Sequence, residues 1–138
     1  MTEGPFSGGC LCGAVRYTAQ NLNAPGWCHC RQCQRASGAP ALVWADCAKP
    51  DFSVKGPVAR IKSSAHTHRL FCLYCGSTLF MIEDAPDGRV DIAVATLDHP
   101  EQIQPAFHIW DSSRIGWFEP TDQLPRHAEE RLDAALTK

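Results

Sequence analysis

The chain lacks any run of lysine or arginine, any long apolar stretch and any low-complexity tract across its 138 residues. Each absence excludes something. A protein that neutralises many phosphates needs a basic face, and a formal charge of −2 with a pI of about 6.3 makes nucleic acid a poor partner. A membrane-spanning helix needs roughly 20 apolar residues, and no segment supplies them. The first nine residues, MTEGPFSGG, have neither a basic n-region nor an apolar h-region, so no signal peptide is expected and a cytoplasmic location is. There is no internal repeat and no linker long enough to divide the chain, so one domain over residues 1–138 is expected. At 44% hydrophobic residues the chain carries enough apolar side chains for a true core.

Eight cysteines stand against these absences. In a reducing compartment so many thiols point to metal or thiol chemistry rather than a disulfide framework. Seven of them fall in three short motifs: GGCLCG holds Cys10 and Cys12, CHCRQC holds Cys28, Cys30 and Cys33, and CLYCG holds Cys72 and Cys75. Residues i and i+2 of an extended strand share a face, which would set Cys10 and Cys12 side by side. The Cys72–Cys75 pair, followed by Gly76, reads as a zinc knuckle whose glycine takes the tight turn. Together these four would make a closed tetrahedral site, for zinc or, on the same ligand set, rubredoxin-type iron.

Cys28, Cys30 and Cys33 form a three-ligand set, which is how catalytic zinc sites keep a fourth position open. Cys47, in WADCAKP, either closes that site from a distance or is a buried small hydrophobe. Spacing alone leaves the sharing of metals open, and this pairing is the most local one. Zinc with three thiolates carries a formal charge of −1 and is a poor activator of water. It suits holding an incoming thiol in its deprotonated, nucleophilic form.

The remaining sequence reads as short strands punctuated by glycine and proline. GAVRYTAQ (13–20) alternates in the manner of a half-buried strand, APALVWAD (39–46) is an apolar run, and FSVKG and ARIKS flank a hairpin or chain reversal at Gly56–Pro57. HTHRLFC and STLFMIED surround the second cysteine pair. A turn at 86–88 precedes another strand. Ala128, Leu132, Ala135 and Leu136 fall at helical spacing after Pro125 and predict a C-terminal helix. The fold class expected is mainly β with that one helix.

The ordered set GGCLCGAVRY, CHCRQCQRASGAP, FCLYCGSTL and PAFHIWDSSRIGWFEPTDQLP resembles the glutathione-dependent formaldehyde-activating enzyme family, which shares its domain with centromere protein V, over a core of about residues 8–125. The resemblance implies a β-tent of short antiparallel sheets stapled by zinc. It implies a structural zinc on Cys10, Cys12, Cys72 and Cys75 and a catalytic zinc on Cys28, Cys30 and Cys33. It further implies a carbon–sulfur lyase or synthase that joins glutathione to formaldehyde, or a related thiol and aldehyde, through a zinc-held thiolate. Glutathione carries two carboxylates, for which Arg31 and Arg35 are the nearest cations in sequence. Two other classes are weighed against this one. A non-catalytic zinc module would bind a protein partner, and a methionine sulfoxide reductase-type enzyme would need Cys47 as a reactive thiol. His29 is expected to turn away from the metal, His66 and His68 to be exposed, His108 to be structural or to line a pocket, and Trp110, Trp117 and Phe118 to be core.

Overall fold

The computed structural model describes residues 1–131, and within them the chain forms ten strands and one α-helix. Strands β1 (Phe6–Gly9), β2 (Arg16–Ala19) and β5 (Phe52–Lys55) make a small antiparallel sheet in the order β1-β2-β5. The larger sheet has seven strands in the order β10-β3-β4-β9-β8-β7-β6. These are β3 (Gly26–Cys28), β4 (Leu42–Ala48), β6 (Val58–Lys62), β7 (Thr67–Cys72), β8 (Thr78–Glu83), β9 (Arg89–Ala93) and β10 (Phe107–Ile109). All neighbours in it are antiparallel except β10 and β3, which run parallel and make the large sheet mixed.

The alternation seen in the sequence becomes the division of labour in the large sheet. Ala45 and Cys47 of β4, Leu70 of β7, Phe80 of β8, and Val90 and Ile92 of β9 all enter one core with Tyr17, Ala19 and Phe6 of the small sheet. Successive strand residues point to opposite faces, so Trp44, Asp46, Arg69, Met81, Glu83 and Asp91 stand on the other side. Fully burying a side chain such as Phe80 or Ile92 contributes about 1.5–3 kcal/mol, and both are completely covered.

Four expectations are corrected. Gly56–Pro57 does not close a hairpin: β5 pairs with β2 and β6 with β7, so the turn carries the chain from one sheet to the other. At that crossing Gly56 has φ 115° and its Cα packs so closely on the Ala14 carbonyl that a Cβ would sit 2.2 Å from the oxygen. The one helix expected is at the C-terminus, yet within CRQCQRASG residues Arg31–Ser37 form a short α-helix, α1. Residues 126–131 are not helical; they run beside β10, with the His127 amide donating to the His108 carbonyl and the Trp110 amide to the Glu129 carbonyl. That pairing satisfies an otherwise open strand edge, which propensity over 128–136 does not register. The rest of the expected helix, from Leu132 on, lies outside the described residues. Finally, Trp117 is 76% exposed, whereas Trp110 and Phe118 are half-buried.

Candidate metal centre and cleft

Cys10 and Cys12 lie in the turn between β1 and β2 rather than within a strand, with their sulfurs 3.5 Å apart. Cys72 ends β7, and its sulfur is 3.8 Å from that of Cys12. The four sulfurs of Cys10, Cys12, Cys72 and Cys75 all lie within 4.8 Å of one another. Backbone amides aim at the cluster: Val15 donates to Cys10 Sγ at 3.2 Å and Tyr74 to Cys72 Sγ at 3.4 Å. Such bonds favour the thiolate form that a metal requires. Gly76, at φ 77°, turns the chain so that its amide reaches the Cys72 carbonyl, the tight turn expected of it. Hydrogen bonds from Ser77 hold the Cys75 thiol down to about 5. Four soft, mutually close sulfurs with amide donors fit zinc or iron.

The second group is built by β3 and α1. Cys28 ends β3, Cys30 is the N-cap of α1, and Cys33 lies in the helix's first turn. The Cys30 sulfur accepts the Cys33 amide at 3.3 Å, doing for the helix what a serine or aspartate oxygen does elsewhere. At the other end the Gly38 amide closes the helix on the Gln34 carbonyl. The Gln34 side chain is buried and donates to the His29 carbonyl at 2.8 Å, fixing the link between strand and helix. The sulfurs of Cys28 and Cys33 are 3.5 Å apart, and all three lie within 4.8 Å of one another. Among the described residues no fourth cysteine, histidine or carboxylate completes the group. Shared hydrogen bonds among the three thiols drive Cys28 up and Cys30 down, so Cys30 gives up its proton first.

Two further groups meet Cys33. The Trp44 indole N–H donates to its sulfur at 3.4 Å, and Nη2 of Arg69 lies 3.6 Å from it. Nothing in the sequence pattern singles out Arg69. It is only 6% exposed, and neither its Nε nor its Nη1 has a hydrogen-bond partner. The three cysteines open onto a cleft of about 1030 Å³ across the outer face of the large sheet. Arg31 borders this cleft and is held by Gln34 Oε1 at 2.6 Å; Arg35 is exposed and does not line it.

The remaining candidates fall elsewhere. Cys47 is completely buried on the core face, opposite the cleft, and burial pushes its thiol up to about 11. It therefore does not close the three-cysteine group, and it is the reverse of a reactive low-pKa thiol. His29 is also completely buried; its Nε2 meets Nδ1 of His108, and its ring lies 5.9 Å from that of Phe118. His66 is exposed, while His68 is half-buried against Asp84, 2.6 Å away.

A mixed β fold with two separate cysteine clusters, one of four and one of three beside a cleft, has the donor sets that could hold metal ions. The family model for the glutathione-dependent formaldehyde-activating enzyme matches residues 5–113, and the chain belongs to that family. An uncharacterized lyase of Schizosaccharomyces pombe is 32% identical over 77 residues, covering 54% of this chain and 56% of the relative, so the match spans only about half the length of that protein. A crystal structure of a Rhodobacter sphaeroides protein shares the fold, with a TM-score of 0.56 at 20% identity over 87% of this chain and 98% of the other. No helix among the described residues is long and apolar enough to cross a membrane.

Proposed function

We propose that the protein is a zinc-dependent lyase that joins a thiol, with glutathione as the leading example, to formaldehyde or a related aldehyde. The observation that carries this reading is the set of three sulfurs, with no fourth protein ligand among the described residues, opening onto the cleft. Family membership and the lyase name of the yeast relative support it.

Cys10, Cys12, Cys72 and Cys75 would hold a structural zinc, and Cys28, Cys30 and Cys33 a second one. Zinc bound to the three thiolates would favour the deprotonated form of an incoming thiol. The chain's own part is to place the reactants. The buried Trp44 and Arg69 donors keep the Cys33 sulfur in position, and the Cys30 cap ties its sulfur to the helix. A cleft of about 1030 Å³ is at the upper end of the range usual for small-molecule sites and accommodates a tripeptide thiol. In the reaction the thiol sulfur bonds to the aldehyde carbon, the carbonyl electron pair moves to oxygen, and that oxygen takes a proton. Arg31, which borders the cleft, would meet a glutathione carboxylate with the donors that Gln34 does not take.

Leu11, Leu73 and Tyr74 are exposed at the two turns that carry the four-cysteine cluster. They favour the second reading, a zinc module that docks a protein partner. Native mass spectrometry of the reduced protein with and without glutathione separates the two. Two zincs and a glutathione adduct that vanishes in Cys30→Ser support the enzyme. One zinc and no adduct sink it in favour of the docking module.

A further inference from the structure

A cation buried beside a cluster of thiols needs an explanation for each of its donors. Arg69 sits on β7 in register with Met81 of β8, which is itself in register with Asp91 of β9. Its guanidinium carbon lies 6.0 Å from the Trp44 ring centroid, and one nitrogen meets Cys33. The two other donor positions, Nε and Nη1, are buried and unpaired. Burying a charged donor without a partner is costly, and guanidinium forks match anionic oxygens in particular. The other cleft arginines are differently engaged. Arg89 is ion-paired with Asp46, Arg31 is held by Gln34, and Arg131 lies over the Phe107 ring.

We propose that Arg69 is an anionic-oxygen seat of the cleft, accepting an oxygen of the reacting molecule while Nη2 stays on Cys33. The proposal deepens the lyase reading and rests on it for the identity of that molecule. Three thiolates around a divalent ion leave one net negative charge, which repels an anionic reactant; Arg69 cancels it at the Cys33 corner. Rotation about the Cγ–Cδ and Cδ–Nε bonds, with the planar guanidinium moving as one unit against the adaptable Met81 side chain, brings the unpaired donors to the ligand. Two sources supply the same chemistry. One is the alkoxide that forms when the thiol sulfur bonds to the aldehyde carbon and the carbonyl electron pair passes to oxygen. The other is a carboxylate carried by the thiol.

The test uses zinc-loaded full-length protein and the variants Arg69→Gln and Arg69→Lys, with two zincs per chain verified for each by native mass spectrometry. Acetate and mercaptoacetate are titrated while the Trp44 indole N–H is followed by NMR. A saturable shift that is retained in Arg69→Lys and weakened at least tenfold in Arg69→Gln is expected. Turnover then identifies the source. A fall in kcat of about 10²-fold with the neutral thiol 2-mercaptoethanol, at unchanged KM, marks the alkoxide. A rise in KM confined to mercaptoacetate marks the carboxylate. The proposal is overturned if Arg69→Gln binds and turns over as the wild type does, or if both variants fail only by losing the zinc of the three-cysteine group. If the wild type forms no adduct with any thiol, the proposed function falls and acetate decides Arg69 alone: a shift lost in Arg69→Gln keeps the seat, and no shift removes it.

Discussion

Nε2 of His29 lies 2.9 Å from Nδ1 of His108, and the far nitrogen of His108 lies 3.0 Å from an Asp122 oxygen. The carboxylate accepts from His108 Nε2–H, which leaves His108 Nδ1 to accept from His29 Nε2–H. The tautomers of both rings are thereby set from the surface inward. Burial holds His29 toward its neutral form. Because His29 lies between Cys28 and Cys30, the chain of bonds fixes the backbone on which two of the three sulfurs sit.

Replacing His108 by phenylalanine should therefore do two things. It leaves a buried His29 donor without a partner, costing about 1–3 kcal/mol in chemical denaturation. It should also loosen the three-cysteine group selectively, so that a chelator removes one zinc faster than from the wild type while the second leaves at its usual rate. Equal release of both metals would show that the histidine pair does not buttress this group.

The two clusters should differ in what their loss does. Cys72 is completely buried in the main core and joins the β1–β2 turn to the end of β7, so Cys72→Ser should abolish soluble expression. Structural zinc contributes on the order of 10 kcal/mol to folding in small domains, comparable with a typical domain's whole stability. Cys30→Ser should give a folded protein with one zinc and no adduct formation. Thermal melts and zinc counts on the two variants check this, and equal unfolding of both would erase the distinction.

Cys47→Ser puts a hydroxyl where a thiol is completely buried within the main core. The expected cost is about 1–3 kcal/mol of stability, with adduct formation and peroxide sensitivity unchanged. Loss of a peroxide-reducing activity in this variant would revive the redox alternative.

Tyr17 gives a pH dependence with a definite sign. Burial raises its phenol to about 12, against about 10 in the unfolded chain. The neutral phenol is what the fold accommodates, so its contribution is complete below about pH 10. It is lost as pH rises from there through about 12, because only the unfolded chain ionises early. Tyr17→Phe loses the 2.7 Å hydrogen bond to Thr96, about 1 kcal/mol at neutral pH, and should flatten that alkaline decline. Urea titrations at pH 8, 10 and 11 measure both effects; an unchanged alkaline slope in the variant would assign the decline to other groups.

The strands are legible in the sequence because one face of each is buried. Trp44-Ala45-Asp46-Cys47 and Arg69-Leu70 alternate in burial partner as they alternate along the chain, and the most local grouping of the cysteine motifs matches the two clusters that the fold assembles. The helix after Cys30 escapes sequence reasoning although Gly38 marks its end, because a cysteine is not an expected cap and seven residues carry little periodicity. Helical spacing over 128–136 misleads in its first part, where the chain gains more from hydrogen bonds to the residues following β10. Arg69 and Asp122 carry no signal in the sequence. Their partners lie 36 and 14 residues away, and only the folded sheet brings an arginine of β7 against a cysteine of α1. Trp117 belongs to the core by residue type, yet it stands in solvent.

The two-sided character of the large sheet governs how this protein can change over generations. Positions 44, 46, 69, 81 and 91 face the cleft, while 45, 47, 70, 80, 90 and 92 hold the sheets together. Point substitutions at the first set can retune what the cleft accepts without disturbing the second. An insertion or deletion of a single residue within β4, β7, β8 or β9 has no such freedom, because it exchanges the two sets at a stroke. Diversity among descendants of this chain should therefore accumulate as substitutions on the cleft side of these strands and as length changes only in the turns between them.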